Sequence, residues 1–389
     1  MDIVRLEPAA LRRHYTSFLK PGRVLLTGHS HQAWPDVARD GLLQAFEDAA
    51  THVCDKWPHA MAVSDALRAV VGAAIQAPAD EIALAESTHT LVCRFLSALD
   101  PTRTHIVTTG GEFHSLRRQL ARLAEEGLVI DWVDPDPIDT LGERLGAAVR
   151  HDTAALMTSA VLFQTSAVVP GLEVAVKAAH AAGAQVLIDA YHAFQVMPFR
   201  VAGLGPVFAV GGGYKYAQWG EGCCWMRVPT ELELRPTMTG WFSDFAGLER
   251  PVSDGPVGYG PRPADRFAGS TYDPASHYRA AAVARFFAEQ GMSIPRLRAL
   301  SLRQTGRLRD ALEGIAPCLT PRADALRGGF LAYRVEQASE VVAALRARGV
   351  FVDARGDVLR LGPAPYIEDD ELDAASAHVR VCVEACLRK

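Results

Sequence analysis

Two short segments carry most of the chemistry legible in this chain of 389 residues. In Val186-Leu-Ile-Asp-Ala-Tyr-His192 an apolar run ends in Asp189, and His192 follows shortly after. A carboxylate at the end of a buried strand is costly unless it is paired. A metal, a proton to be moved or a cationic cofactor ring would justify it, and so would a turn capped by Asp189. In Val207-Phe-Ala-Val-Gly-Gly-Gly-Tyr-Lys-Tyr216 a second apolar run enters three glycines and then Lys215, flanked by tyrosines. The glycines permit a tight bend and close approach of a ligand. Of the 40 basic residues only five are lysines: Lys20, Lys56, Lys177, Lys215 and Lys389. Lys20 precedes Pro-Gly, Lys56 precedes Trp-Pro, Lys177 falls in an amphipathic pattern and Lys389 is the last residue, all settings that suit a solvated side chain. Lys215 has no such setting. Unlike arginine, a buried lysine can lose its proton and form a Schiff base.

An amine and a carboxylate at neighbouring strand ends are what pyridoxal phosphate requires: the amine takes the cofactor carbonyl as a Schiff base, and the carboxylate keeps the pyridine nitrogen protonated. The phosphate needs a helix N-terminus with hydroxyls. Glu86-Ser-Thr-His-Thr90 offers Ser87 and Thr88 with His89 beside them, although a simple N-cap accounts for the same residues. A ring also needs a stacking face, which Phe113 or His114 in Gly110-Gly-Glu-Phe-His-Ser115 could supply.

The elements that must position these residues read as alternating strands and helices. Helical patterns cover Glu7–Leu19, Asp36–Val53 and His59–Ile75. Short apolar runs at Ile82–Ala85, His105–Thr108, Leu128–Val133, Ala155–Ser159, Gln185–Ile188 and Val207–Val210 then alternate with amphipathic stretches. This predicts an α/β fold with a large, mostly parallel sheet and helices on both faces, its functional residues beyond the carboxyl ends of the strands. Residues 229–275 are rich in Pro, Gly and aromatics with little periodicity, which marks a functional or interface segment. Helices near Ser276–Gln290 and on to about Glu313 precede a smaller α/β unit made of Gly329–Val335, Gln337–Arg348, Val358–Leu361 and Asp369–Leu387. The expected division is an N-terminal segment, 1–50, that packs with the small domain, a large cofactor-binding domain over 51–285, and a small C-terminal domain over 286–389.

Composition narrows the field. The chain is 49% hydrophobic and 22% charged with a net charge of −5, which suits a globular protein and offers no electrostatic reason to bind nucleic acid or an anionic membrane. No secretory pattern opens it and no apolar run reaches spanning length. Seven cysteines without a CxxC fit a reducing, cytoplasmic setting, and Cys382 and Cys386 read as core packing. His29 and His31 form an H-x-H, but no Cys or carboxylate completes a zinc spacing, so no metal is expected.

On these residues the chain resembles the fold-type I pyridoxal-phosphate enzymes of the class V aminotransferase group, and within it kynureninase, over nearly its whole length. Asp189 and His192 match the family's D-x-x-H, and Tyr214-Lys-Tyr216 its Y-K-Y. Leu25-Leu-Thr-Gly-His-Ser30 is similar to its N-terminal segment, Gly240-Trp-Phe242 and Phe267-Ala-Gly-Ser-Thr271 to segments lent by a second subunit, and Leu359-Arg-Leu-Gly-Pro-Ala-Pro-Tyr366 to its R-x-x-P-x-P-L-Y run. The resemblance implies a seven-stranded large domain and a homodimer with shared active sites. It implies that Lys215 carries the cofactor and moves the substrate α-proton, with Asp189 on the pyridine nitrogen, His192 beside it, and Tyr214 on the phosphate and able to assist proton transfer. Ser87, Thr88, His89 and Phe113 would surround the cofactor. Trp241, Ser270 and Thr271 would come from the partner, and His29 and Arg360 would meet the substrate, Arg360 through its carboxylate.

The chain departs from the family at Phe113-His-Ser-Leu116, where Phe-Pro-Ser/Thr-Asp is usual, at Thr88-His-Thr-Leu91, and at His29, where the family has Asn. These departures bear on the substrate rather than the cofactor. The implied reaction is hydrolytic Cβ–Cγ cleavage of kynurenine or 3-hydroxykynurenine. The alternatives are an aminotransferase, epimerase or lyase acting on another amino acid, and a non-catalytic protein of the same fold, which an intact Lys215, Asp189 and Arg360 argue against. A desulfurase needs a mobile nucleophilic Cys, and Cys318 reads instead as the start of a strand.

Overall fold

The computed structural model describes residues 5–250 and 254–387; Lys389 lies outside them. In chain order the elements are α1 Pro8–Arg12, β1 Val24–Leu25, α2 Val37–His52, α3 Trp57–Ile75, β2 Ile82–Ala85, α4 Thr88–Leu96, β3 His105–Thr109, α5 His114–Ala124, β4 Val129–Val133, α6 Leu141–Ala148, β5 Thr153–Ser159 and α7 Leu172–Ala181. There follow β6 Gln185–Asp189, β7 Phe208–Gly212, β8 Cys224–Arg227, α8 Ala275–Glu289, α9 Ile294–Ala311, β9 Leu331–Arg334, α10 Ala338–Arg346, β10 Val350–Phe351, β11 Asp353–Arg355, β12 Val358–Leu361 and α11 Asp369–Leu387.

The large sheet has seven strands in the order β2-β8-β7-β6-β5-β3-β4. Only β8 runs against its neighbours; β7-β6-β5-β3-β4 are parallel throughout. β2, β3, β5, β7 and β8 are buried along their whole length, which explains their mostly apolar character and lack of alternation. After β4 the chain crosses over β3 to lay down β5 and then β6 and β7 on the other side. That reversal opens a crevice at the carboxyl ends of β3, β5, β6 and β7, where open α/β sheets bind their ligands. The second sheet is antiparallel, β11-β12-β9, and β1 pairs in parallel with β10. Among the described residues no helix is long and apolar enough to cross a membrane.

Most expected elements are present, and the differences have physical causes. The first helix stops at Arg12 rather than Leu19 because the chain turns to bury Tyr15, whose hydroxyl donates to Gln218 Oε1 at 2.6 Å. The Asp36 carboxylate then accepts the backbone N–H groups of Thr16 and Ser17, so Asp36 anchors this turn instead of capping α2 with its side chain. β8 escapes a reading by alternation because it is four residues long and buried on both faces. β1, β10 and β11 are too short to carry any periodicity. Among its described residues the 229–275 segment forms only two 3₁₀ turns, Trp241–Gly247 and Pro263–Phe267, before α8 begins. Gly211, Gly212 and Gly213 do not make a bend through positive φ. A Cβ on them would come within 2.5 Å of Trp225, Tyr191 and Trp219 respectively, so they are required by close packing on three aromatic rings.

The antiparallel edge is tied by a buried ion pair. Arg227 Nε donates to Glu81 Oε2 at 2.7 Å, Arg227 Nη1 donates to the Val207 carbonyl, and Glu81 Oε1 accepts from both the N–H and the hydroxyl of Thr230. Burial alone would raise the Glu81 carboxyl, but Arg227 and Thr230 outweigh it and hold it below its ordinary value. Arg227→Met is expected to destabilise the chain by about 3–5 kcal/mol, because it strands a buried carboxylate. A depressed folded-state value means that the contribution is complete above the ordinary pKa of 4.5 and lost as pH falls through the folded one. Denaturant melts from pH 7 down to pH 3 should therefore show the gap between wild type and R227M closing with acid; a gap independent of pH contradicts this.

Candidate active site

Four strand ends converge on a cavity of about 290 Å³ lined by Ser87, Thr88, His89, Phe113, Ser159, Phe163, Asp189, Tyr191, His192, Tyr214 and Lys215 among others. β6 ends in Asp189, which sits in register with Ser159 of β5 on one side and Val210 of β7 on the other. Past β7 the chain runs through the packed glycines and returns Lys215 over the same edge.

Lys215 is 5% exposed. Its Nζ lies 2.8 Å from His192 Nε2 and 4.4 Å from the Tyr191 ring centre, with Phe113 at 5.4 Å and Tyr214 at 5.7 Å. Burial pushes the amine down from 10.5 to about 7; the Asp189 charge resists this and that of Arg360 adds to it. Near neutrality a substantial fraction of Lys215 is therefore an uncharged nucleophile. Asp189 Oδ1 accepts the Tyr191 N–H at 2.8 Å. Burial raises the Asp189 carboxyl, and the Tyr191 hydrogen bond and the Lys215 charge oppose that rise. His192 is driven well below its usual value by burial and by the nearby charges of Lys215 and Arg360, so it is a neutral acceptor for the lysine, and its buried Nδ1 has no protein partner. Burial lifts Tyr214 to about 12.

At the opposite wall Ser87 caps α4: its Oγ accepts the Thr90 N–H at 3.1 Å. The helix thus presents backbone N–H groups and the hydroxyls of Ser87 and Thr88 to the cavity, a setting that favours an anion. His89 shares this rim, with its Nε2 3.1 Å from Gln119 Oε1. Phe113 and Phe163 meet edge to face at 5.3 Å and form an aromatic wall. An anion cradle, an aromatic face on Phe113, a buried carboxylate and an amine partly uncharged near neutrality in one cavity fit pyridoxal phosphate, with Lys215 for the carbonyl, Asp189 for the ring nitrogen and α4 for the phosphate.

The remaining expected residues fall elsewhere. Trp241 Nε1 donates to Thr271 Oγ1 at 3.0 Å, and Ser270 and Thr271 line a second cavity of about 940 Å³. Glu86, Glu221 and Gly222 border both cavities. His29 and Arg360 are not on the lysine-pocket wall. Both are held by Asp353: His29 Nε2 is 2.8 Å from Oδ1, while Arg360 donates through Nε at 2.9 Å and through Nη2 at 2.6 Å. Arg360 Nη1 donates to the Phe163 carbonyl at 2.7 Å. Burial and the Arg360 charge bring His29 down to about 4 despite Asp353, so it is neutral. Burial would raise Asp353, but His29 and Arg360 hold it far below the carboxylate range. Cys318 pairs with Tyr333 and does not line the lysine pocket.

Sequence reasoning missed Ser159, Tyr191, Phe163 and Asp353. Ser159 had a signal, since it ends an expected strand beside Asp189. Asp353 had none, because its strand was not foreseen.

Comparison with known proteins agrees with this architecture. The solved apo structure of a cysteine desulfurase from Thermococcus onnurineus NA1 superposes with a TM-score of 0.83 at 18% identity, over 99% of this chain and 100% of that one. A lysine-to-alanine mutant of C-DES with glycine covalently linked to its PLP cofactor gives 0.82 at 15% identity, over 95% of this chain and 98% of that one. The fold is that of the fold-type I pyridoxal-phosphate enzymes. Residues 297–379 match the family model described as the kynureninase C-terminal domain. In sequence the chain is similar to a kynureninase from Deinococcus radiodurans, 26% identical over 97% of this chain and 94% of the relative. It is also similar to one from Pseudomonas fluorescens, 24% identical over 92% and 88% respectively.

Because the folded-state value of Lys215 is depressed, the unfolded chain holds its proton between about pH 7 and 10.5 and the folded chain does not. Stability attributable to Lys215 should therefore rise with pH across that window, by at most about 1.4 kcal/mol per pH unit. The stability of the unliganded wild type, measured relative to Lys215→Met, should increase between pH 7 and 9. A flat difference would mean that the amine is not desolvated.

Proposed function

We propose that the chain is a pyridoxal-phosphate enzyme acting on an amino acid, and that its reaction is the hydrolytic Cβ–Cγ cleavage of kynurenine or 3-hydroxykynurenine to alanine and an anthranilate. The observation that carries the reading is the buried Lys215 set between Asp189 and the hydroxylated start of α4. When bound, pyridoxal phosphate supplies an electron sink for charge that develops at the substrate α-carbon.

The chain's own residues do the rest. Lys215 would hold the cofactor through its carbonyl and, when not so engaged, would accept and return a proton at Nζ. His192, neutral and hydrogen-bonded to Nζ, holds the amine in place. Asp189 presents a negative charge to the ring nitrogen, and Ser87 and Thr88 bind the phosphate. Phe113 gives the ring its stacking face, and Phe163 beside it helps to exclude water. Tyr214, which lines the same pocket, would hold the phosphate and assist proton transfer. Arg360 has five N–H groups, three of them engaged by Asp353 and Phe163. Two remain for a substrate carboxylate. Trp241, Ser270 and Thr271, which lie off the lysine pocket of their own chain, serve the pocket of a second copy in a two-fold dimer. The similarity to kynureninases in both sequence comparisons favours this chemistry over transamination or another lyase reaction.

Pure protein supplied with pyridoxal phosphate should be yellow, and kynurenine or 3-hydroxykynurenine should release an anthranilate, read by its fluorescence. Lys215→Ala should lose both the visible band and at least a thousandfold of the rate. A yellow wild type that forms no anthranilate but consumes another amino acid would keep the cofactor and overturn the hydrolase. A visible band that survives in K215A would overturn the site itself.

A further inference from the structure

One buried acid in this region has no place in the chemistry above. Glu112 follows β3 in the turn before α5 and is 1% exposed. Its two oxygens are spent on a single residue: Oε1 accepts the Ser159 N–H at 2.8 Å, and Oε2 is 2.7 Å from Ser159 Oγ. Among the described residues no cation pairs with it. Ser159 lines the lysine pocket and is the register partner of Asp189. We propose that Glu112 is a positioning residue that grips Ser159 at both ends and so sets whether the Ser159 hydroxyl donates to, or only accepts from, the cofactor in the pocket. This inference rests on the proposed function, because it takes the pocket's ligand to be pyridoxal phosphate.

The reason is that a hydroxyl carries one hydrogen. If Glu112 is ionised, the Ser159 proton must point back at Oε2, leaving only lone pairs toward the pocket. If Glu112 is protonated, it donates to Ser159 Oγ, and the serine proton is free to donate to an acceptor oxygen of the cofactor. Burial raises Glu112 to about 8, the negative charge of Asp189 on β6 adds to the rise, and the two hydrogen bonds from Ser159 on β5 restrain it. Lys215 faces Asp189 from beyond β7 and opposes the rise that burial gives the Asp189 carboxyl. The Asp189 charge and burial both disfavour a second negative charge at Glu112, so a proton on Glu112 relieves that repulsion and makes Ser159 a donor.

Glu112→Gln separates these states, since a glutamine can accept the Ser159 N–H and donate to Ser159 Oγ at any pH. The dissociation constant of pyridoxal phosphate is measured from pH 6 to pH 10 for wild type and E112Q, with melting curves to confirm folding. Titrations of Lys215 and of the cofactor are common to both proteins, so the ratio of constants isolates Glu112. The ratio of wild type to E112Q should be constant below pH 7 and rise roughly tenfold or more toward pH 10, the worth of one hydrogen bond to a charged group. In a Ser159→Ala background the ratio should stay flat. A ratio flat in both backgrounds overturns the proposal. A rise that persists in S159A does so too, because Glu112 would then act by charge alone. Infrared spectra of the unliganded chain test the same point if E112Q fails to fold or no cofactor binds. Wild type at pH 7 should show the carbonyl band of a protonated, buried carboxyl that disappears above pH 8 and shifts in S159A, and its absence at pH 7 overturns the proposal. A folded wild type that takes up no cofactor contradicts the proposed function instead, and leaves that infrared result to decide the role of Glu112.

Discussion

Taking one amine out of water is the constraint on which the rest of this structure depends. A lysine ordinarily avoids burial because desolvating its charge is expensive. Here the charge is partly given up near neutrality: the amine falls to about 7, and a neutral histidine rather than a carboxylate holds it at 2.8 Å. Everything around Lys215 keeps that arrangement dry and directed. Three aromatic rings surround Nζ, and the glycines before the lysine let the strand lie directly on Trp225, Tyr191 and Trp219. Asp189, one strand over, is close enough to resist further loss of the proton without forming a direct salt bridge.

The fold explains why these groups meet. Strand order reverses beside β5, so loops from β3, β5, β6 and β7 face one crevice. Each contributes its own groups: an aromatic face and a buried acid after β3, a hydroxyl at the end of β5, a carboxylate at the end of β6 and the amine beyond β7. The start of α4 closes the ring with an anion cradle that no single side chain could provide. Behind this layer Asp353 binds His29 and Arg360 together, coupling the second sheet and the N-terminal turn to the back of the pocket. That tie leaves Arg360 mostly engaged by Asp353 and the Phe163 carbonyl.

Much of this was legible in the residues, and for identifiable reasons. Asp189 and Lys215 stood out because each interrupts an apolar run at a strand end, where a charge has no bland explanation. The start of α4 was legible because hydroxyls before an amphipathic stretch serve capping and phosphate binding alike. The parallel strands announced themselves as short, mostly apolar runs alternating with amphipathic stretches. What stayed hidden was whatever depends on distant partners. β8 and β11 are too short for periodicity, so Asp353 could not be foreseen as the residue that claims both His29 and Arg360. The three glycines read as a bend because their conformational freedom is visible in sequence, whereas the rings they pack against are not. Glu112 was in view but silent, since its role depends on a serine on another strand.

The central claim is that one lysine of five bears the cofactor. Reducing the cofactor-loaded protein with borohydride, digesting it and mapping the modified peptide by mass spectrometry tests this directly. The account predicts a single pyridoxyl adduct, on Lys215, at close to one per chain. An adduct spread over Lys20, Lys56 and Lys177, or the lack of any adduct on Lys215 in a protein that has taken up cofactor, would contradict it.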